Sequence, residues 1–245
     1  MGSAYYIASC VFTSKYPGLS KKIQKYIRDR LQMPIVRCCV PKYNLQRFKE
    51  QMPEDYREKW ASIPDCADFT PGDTVYSLCH NCSAILEESK PGVQIKSVWE
   101  LILADPEFPY PDYHGQTVTI QDCWRARDRE DEQDAVRKLL HKMNFNVREL
   151  PENGKDTDFC GVSLYRPAPK RNLELAPHRF VVNAAGKFIP HTNEEQIALM
   201  QDYCRQFTEG KVVAYCHYCV EGLELGGADV KHLGSLLFEY NSWRN

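Results

Sequence analysis

Lys211-Val212-Val213-Ala214-Tyr215-Cys216-His217-Tyr218-Cys219 and Thr74-Val75-Tyr76-Ser77-Leu78-Cys79-His80-Asn81-Cys82 read alike. Each is a short β-branched and aromatic run, the pattern of a strand, and each ends on a CxxC pair. The likeness runs without gaps from each strand through its Cys pair into a helix and extends over Val75 to Ile102 (VYSLCHNCSAILEESKPGVQIKSVWELI) and Val212 to Phe238 (VVAYCHYCVEGLELGGADVKHLGSLLF). Both stretches predict strand, Cys pair, helix, short strand and second helix. Outward from them the theme recurs. Tyr5 to Ser9 runs into Cys10, Pro34 to Arg37 into Cys38-Cys39, and Thr117 to Asp122 into Cys123. Helical patterns lie between. Leu19 to Leu31 puts Leu19, Ile23, Tyr26, Ile27 and Leu31 on one face, and Asp134 to Phe145 does the same with Val136, Leu139, Leu140 and Met143. Thr192 to Phe207 opens with a Thr-Asn-Glu-Glu capping pattern and spaces Ile197, Met200, Cys204 and Phe207 helically.

Alternating strands and helices predict an α/β fold of short, mostly parallel sheets, with cysteines at the carboxyl ends of strands. That edge is where such sheets place their ligand crevice. The self-similarity predicts two homologous halves, 1–108 and 109–245, the second with an extended 162–200 segment. The Pro-rich stretch 104–116 (ADPEFPYPDYHGQ) suits a linker.

The 245 residues are 43% hydrophobic and 26% charged, an ordinary globular mix with enough chain for a sizeable core. Lys plus Arg is 31 against 33 Asp plus Glu, so the basic excess of a whole-chain nucleic-acid binder is missing. No apolar run approaches the roughly 18 residues of a membrane span. The start MGSAYYIASCVF has no positive region ahead of its apolar stretch, so no signal peptide is read and a cytoplasmic location is expected.

Eleven cysteines, an odd number, argue against a disulfide framework in that setting. Buried apolar Cys, catalytic thiols and metal ligands remain as uses. Five strand ends that each carry Cys are hard to attribute to packing alone. Up to nine thiolates gathered in two clusters would carry a prohibitive charge without a metal, because thiolates that close protonate instead. Cys204, on the apolar side of a helical stretch, reads as core, and Cys66 as a structural or incidental thiol. His80 and His217 read as donors to a metal ligand or as exposed loop residues more readily than as ligands themselves. The run Asp128 to Glu132 reads as a solvated helix start, and Tyr165 to Arg171 as a loop, with a lid or partner surface as the alternative.

The order Cys, about thirty residues, Cys-Cys, about forty residues, CxxC, given twice, resembles the cysteine-rich CCG domain family. That family includes the cysteine-rich iron–sulfur subunit of heterodisulfide reductase and the iron–sulfur subunits of lactate- and glycolate-oxidising complexes. Cys10, Cys38, Cys39, Cys79 and Cys82 match the first motif, and Cys123, Cys160, Cys216 and Cys219 match the second. Asp122-Cys123 followed by Arg127 looks like the family's DxCHLxR stretch, with Trp124 in place of His. Two positions depart from the pattern. Val40 stands where the motif's Gly belongs in the first half, and Phe159 stands where the first Cys of the pair belongs in the second.

The resemblance implies a noncubane 4Fe-4S cluster on the five first-half cysteines. For the second half it implies a cubane 4Fe-4S cluster on four thiolates, a Zn site, or a site completed by another ligand. A small sulfur-containing substrate such as a disulfide would be reduced at the first-half cluster, with Cys39 and Arg127 as the catalytic candidates. Arg37, Lys42 and Arg125 are further basic residues able to receive an anion. Electrons would come from a ferredoxin-like or flavoprotein subunit, since the chain has neither a ferredoxin cysteine run nor a GxGxxG loop. The alternatives are an electron-transfer subunit without its own substrate site, and a zinc-stabilised assembly module.

Overall fold

A computed structural model describes residues 2–207, 210–239 and 243. The chain divides into two compact units, 1–101 and 102–245.

In the first unit, β1 (Ala4–Ile7) leads into the short helix α1 (Cys10–Lys15) and then α2 (Pro17–Asp29). A Pro at the start of α2 presets its first φ. Leu19, Ile23 and Ile27 are its buried face, while Tyr26 and Leu31 are only partly covered. Each such buried side chain contributes roughly 1.5–3 kcal/mol. After β2 (Ile35–Val36) come α3 (Leu45–Gln51) and α4 (Glu54–Ser62), then β3 (Thr74–Ser77), α5 (His80–Ser89), β4 (Gln94–Ser97) and α6 (Val98–Leu103). The four strands form one parallel sheet in the order β2-β1-β3-β4.

The second unit repeats the plan. It runs β5 (Thr117–Gln121), a 3-10 turn at Trp124–Ala126, α7 (Glu130–Lys142) and β6 (Asn146–Arg148). The 162–200 segment begins within a further 3-10 turn at Gly161–Tyr165 and holds α8 (Lys170–Leu175), α9 (Pro177–Phe180) and the start of α10 (Asn193–Cys204). β7 (Lys211–Ala214), α11 (His217–Leu225), β8 (Asp229–His232) and α12 (Leu233–Phe238) complete it. Its sheet is again all parallel, ordered β6-β5-β7-β8. Both sheets therefore reverse direction of growth at the same place, between the first and third strands, where the crevice of a parallel α/β sheet opens.

Several expectations shift. The Thr192–Glu195 capping box forms, but Ile197 is exposed and α10 buries Gln196 and Met200 instead. Residues 128–132 are not wholly solvated, since Glu132 is buried and paired with Arg129. The 104–116 stretch is not a free linker. Phe108 packs edge-on against Phe238 at 5.4 Å, and Tyr113 donates to the Leu236 carbonyl at 2.9 Å while stacking on Phe145. Those contacts make it part of the second unit. Among the described residues no helix is long and apolar enough to cross a membrane.

Candidate metal centre

In the second unit each of four cysteines begins or precedes a helical turn. Cys123 follows β5 and caps the turn Trp124–Ala126, and Cys160 caps the turn Gly161–Tyr165. Cys216 follows β7 and caps α11, which carries Cys219 on its first turn. The backbone N–H groups freed at such starts favour anionic sulfur. The four sulfurs lie within 4.8 Å of one another and are buried. Cys123 Sγ is 3.3 Å from Cys160 Sγ, which is 4.0 Å from Cys216 Sγ. Four soft, buried donors gathered this closely can hold a metal ion or cluster.

Close backbone packing makes this convergence possible. Gly161 sits at φ +57°, and a Cβ there would come within 2.1 Å of the Tyr218 carbonyl oxygen on α11. The Gly that follows Cys160 thus lets its turn press against the CxxC loop. Phe159, at the position of the missing cysteine, stacks on Tyr203 of α10 with ring centroids 4.1 Å apart. Its carbonyl accepts from the Trp124 N–H at 2.9 Å.

The thiols do not share one proton affinity. Burial, then the hydrogen bond to Cys160, pushes Cys123 well above the usual thiol range, and burial with Cys123 does the same to Cys219. Burial also pushes Cys160 up, but hydrogen bonds from Cys123 and Cys219 and the Arg125 guanidinium outweigh it, and its net shift is downward. Arg125 is buried and donates through Nη1 to Cys160 Sγ and, at 2.9 Å, to Ser163 Oγ. Arg127 is placed otherwise. Its Nε donates to the Lys155 carbonyl at 2.8 Å and its Nη1 lies 3.7 Å from Asp158. The arginine in contact with sulfur is Arg125, two residues after Cys123. Its alternation with Arg127 along the chain was the available signal, and the family pattern drew attention to the other one.

The first unit brings its five cysteines together as well. Cys10, Cys38, Cys39, Cys79 and Cys82 are each 3% exposed. Hydrogen bonding to Cys38, then burial, raises the Cys10 thiol, with further contributions from Cys39 and Cys79. Hydrogen bonds to Cys39 and Cys79, then burial, raise Cys82. Asn81, inside the CxxC loop, has a buried side-chain oxygen without a hydrogen-bond partner. His80 and His217 are buried, so neither is an exposed loop residue. Cys66 adjoins the set, its thiol pushed up to about 11 by burial and by Cys38. Cys204 packs at the edge of the second unit's core, half-buried, beside the Leu223 carbonyl. Arg37 is occupied: it contacts Asp65 at 3.2 Å, donates to the Ala61 carbonyl and lies over the Trp60 ring. Lys42 is exposed at φ +57°, with its backbone N–H on Asp65.

No known family model matches the chain, and no curated protein matches it significantly.

Proposed function

We propose that the protein is a two-centre thiolate metalloprotein resembling the cysteine-rich subunit of heterodisulfide reductase, with redox chemistry in the first unit and a single tetrahedral ion in the second. The observation that carries this reading is the difference in donor number, four close buried sulfurs in the second unit and five buried sulfurs in the first. Four thiolates about 2.3 Å from one tetrahedral ion lie roughly 3.8 Å apart. Thiolates outside a four-iron cluster stand about 6 Å apart, beyond the 4.8 Å limit of Cys123, Cys160, Cys216 and Cys219. The donor set of the second unit thus suits zinc better than a cubane 4Fe-4S cluster. The first unit offers five soft sulfurs, one more than a tetrahedral ion takes, together with the unsatisfied Asn81 oxygen. These fit an iron–sulfur cluster that uses all five thiolates, with Cys39, in contact with Cys82, as one of its ligands.

An iron–sulfur group supplies single-electron steps there. The chain's own contribution is to exclude water from the sulfurs and to present the open carboxyl edge of the sheet to a substrate. Reduction of a disulfide takes two electrons and two protons and yields two thiols, the electrons arriving singly from a ferredoxin-like or flavoprotein partner. One observation favours the second reading, an electron relay without a substrate site. Arg37, the basic side chain next to the cysteine pair, is committed to Asp65, Ala61 and Trp60 and is not available to an anionic substrate.

Fe, Zn and acid-labile sulfide analysis of anaerobically purified protein tests the assignment. About four Fe, four sulfides and one Zn per chain are expected. About eight Fe would overturn the single-ion second centre, and Zn without sulfide would end the redox reading. Cys39→Ala is expected to abolish the iron signal and leave the zinc.

A further inference from the structure

We infer that Arg125 is a positioning residue for the second unit's metal centre, balancing the charge of its thiolates through the hydrogen bond to Cys160. This rests on the reading that the four sulfurs hold a divalent ion. Four thiolates around such an ion leave two negative charges in a pocket from which water is excluded. Arg125 cancels one of them. Its guanidinium is buried and its acceptors are a sulfur and a hydroxyl, with no carboxylate among them. A buried guanidinium needs an anion, and the thiolate is the one it touches.

The surroundings are built to hold it. The rings of Trp124, Phe180, Phe188 and Tyr218 lie 5.0–5.8 Å from the guanidinium carbon, and Phe180 and Phe188 belong to the 162–200 segment. Ser163 accepts from Arg125 and itself donates to the Cys160 carbonyl at 2.6 Å, so one hydroxyl fixes both ends of the pair. Lys187, over the Trp124 ring, has its charge committed to Asp158 at 2.6 Å. The extended segment therefore supplies much of the aromatic enclosure that keeps a cation against sulfur. An N–H on a thiolate draws density from it, which stabilises the bound ion and the sulfur lone pairs together.

The test uses the full chain carrying Cys38→Ala, Cys39→Ala and Cys82→Ala, so that only the second set can give a tetrathiolate site, loaded with Co2+ as the probe. Co2+ is titrated in competition with a chelator, and the sulfur-to-cobalt charge-transfer band is recorded. Arg125→Gln is expected to weaken Co2+ binding about tenfold or more and to move the band to lower energy, with Arg125→Lys recovering most of both. A band that does not move, with affinity within about twofold, would overturn the inference. So would equal weakening by Gln and Lys with an unmoved band, which is the behaviour of a packing residue. Should Arg125→Gln fail to fold, Arg125→Lys alone must still shift the band slightly downward, and an unmoved band overturns the inference. Absence of tetrathiolate cobalt bands in the Arg125 parent marks failure of the metal reading itself, visible before any Arg125 variant is made.

Discussion

Gly161 shows how much one missing side chain can matter. Its φ of +57° is costly for any other residue, and a Cβ would meet the Tyr218 carbonyl at 2.1 Å. That carbonyl lies between Cys216 and Cys219 on the first turn of α11, so the clash would press on the turn that carries two of the sulfurs. Gly161→Ala is expected to destabilise the second unit by about 3 kcal/mol and to release its ion more readily. Urea unfolding followed by fluorescence, with zinc release read in parallel, checks this; an unchanged midpoint would show that the turn can move freely. The first unit carries Val40 at the matching position of its motif, where a backbone approach of the Gly161 kind would meet a side chain. That difference was legible in the sequence as a departure from a motif. Its physical meaning was not, because a close approach between two backbones leaves no trace in the order of residues.

At the scale of elements, Asp122 ties together what the second centre needs. It sits at the end of β5, just before Cys123, and its side chain is fully buried. Arg137 of α7 donates to it at 2.7 Å, the Tyr215 hydroxyl next to Cys216 at 2.7 Å, and the Gly154 N–H at 2.7 Å. One carboxylate thus sets the relative placement of a strand, a helix, the neighbouring strand end and a loop. Asp122→Ala leaves Arg137 with Glu149 but strands a hydroxyl and an amide, and should cost about 3 kcal/mol. Tyr215→Phe should cost about 1 kcal/mol. Denaturation of the two variants checks the ranking, and the reverse order would refute this account of the network. The strands and their cysteine ends could be read from the sequence because β-branched runs and CxxC spacing are local signals. The helices could be read where apolar residues recur, as in α2 and α7. Ile197 misled because helical spacing also occurs where one side chain faces solvent and a glutamine, Gln196, takes the buried place. Phe108 and Tyr113 were hidden among prolines, whose abundance suggests a linker whether or not the intervening aromatics are packed.

Across the whole molecule, the proposed metal binding would be coupled to protons through the sulfurs. In the metal-free protein Cys123 and Cys219 of the second unit, and Cys10 and Cys82 of the first, are pushed well above the usual thiol range by burial and by neighbouring thiols. These groups hold their protons at neutral pH, and an ion must displace them to bind. Affinity therefore rises with pH, and acidification empties the centres. At the second centre, release of at least the Cys123 and Cys219 protons is expected, which corresponds to about a hundredfold in affinity per pH unit. Proton release measured in weak buffer during zinc addition checks the number, and zinc uptake without protons would mean the thiols were already ionised.

The two sulfur sets never interleave along the chain. Cys82 is the last of the first set and Cys123 the first of the second. Within each unit, however, the crevice between the first and third strands joins cysteines that are far apart in sequence, Cys10 to Cys82 and Cys123 to Cys219. During synthesis neither pocket can close until its third strand and the CxxC helix behind it have left the ribosome. At that moment the earlier pocket is whole while not one ligand of the later one has emerged. On the proposed two-centre reading, biogenesis would divide into two successive loading events, so that different inorganic cargo could reach each pocket without the second competing for the first.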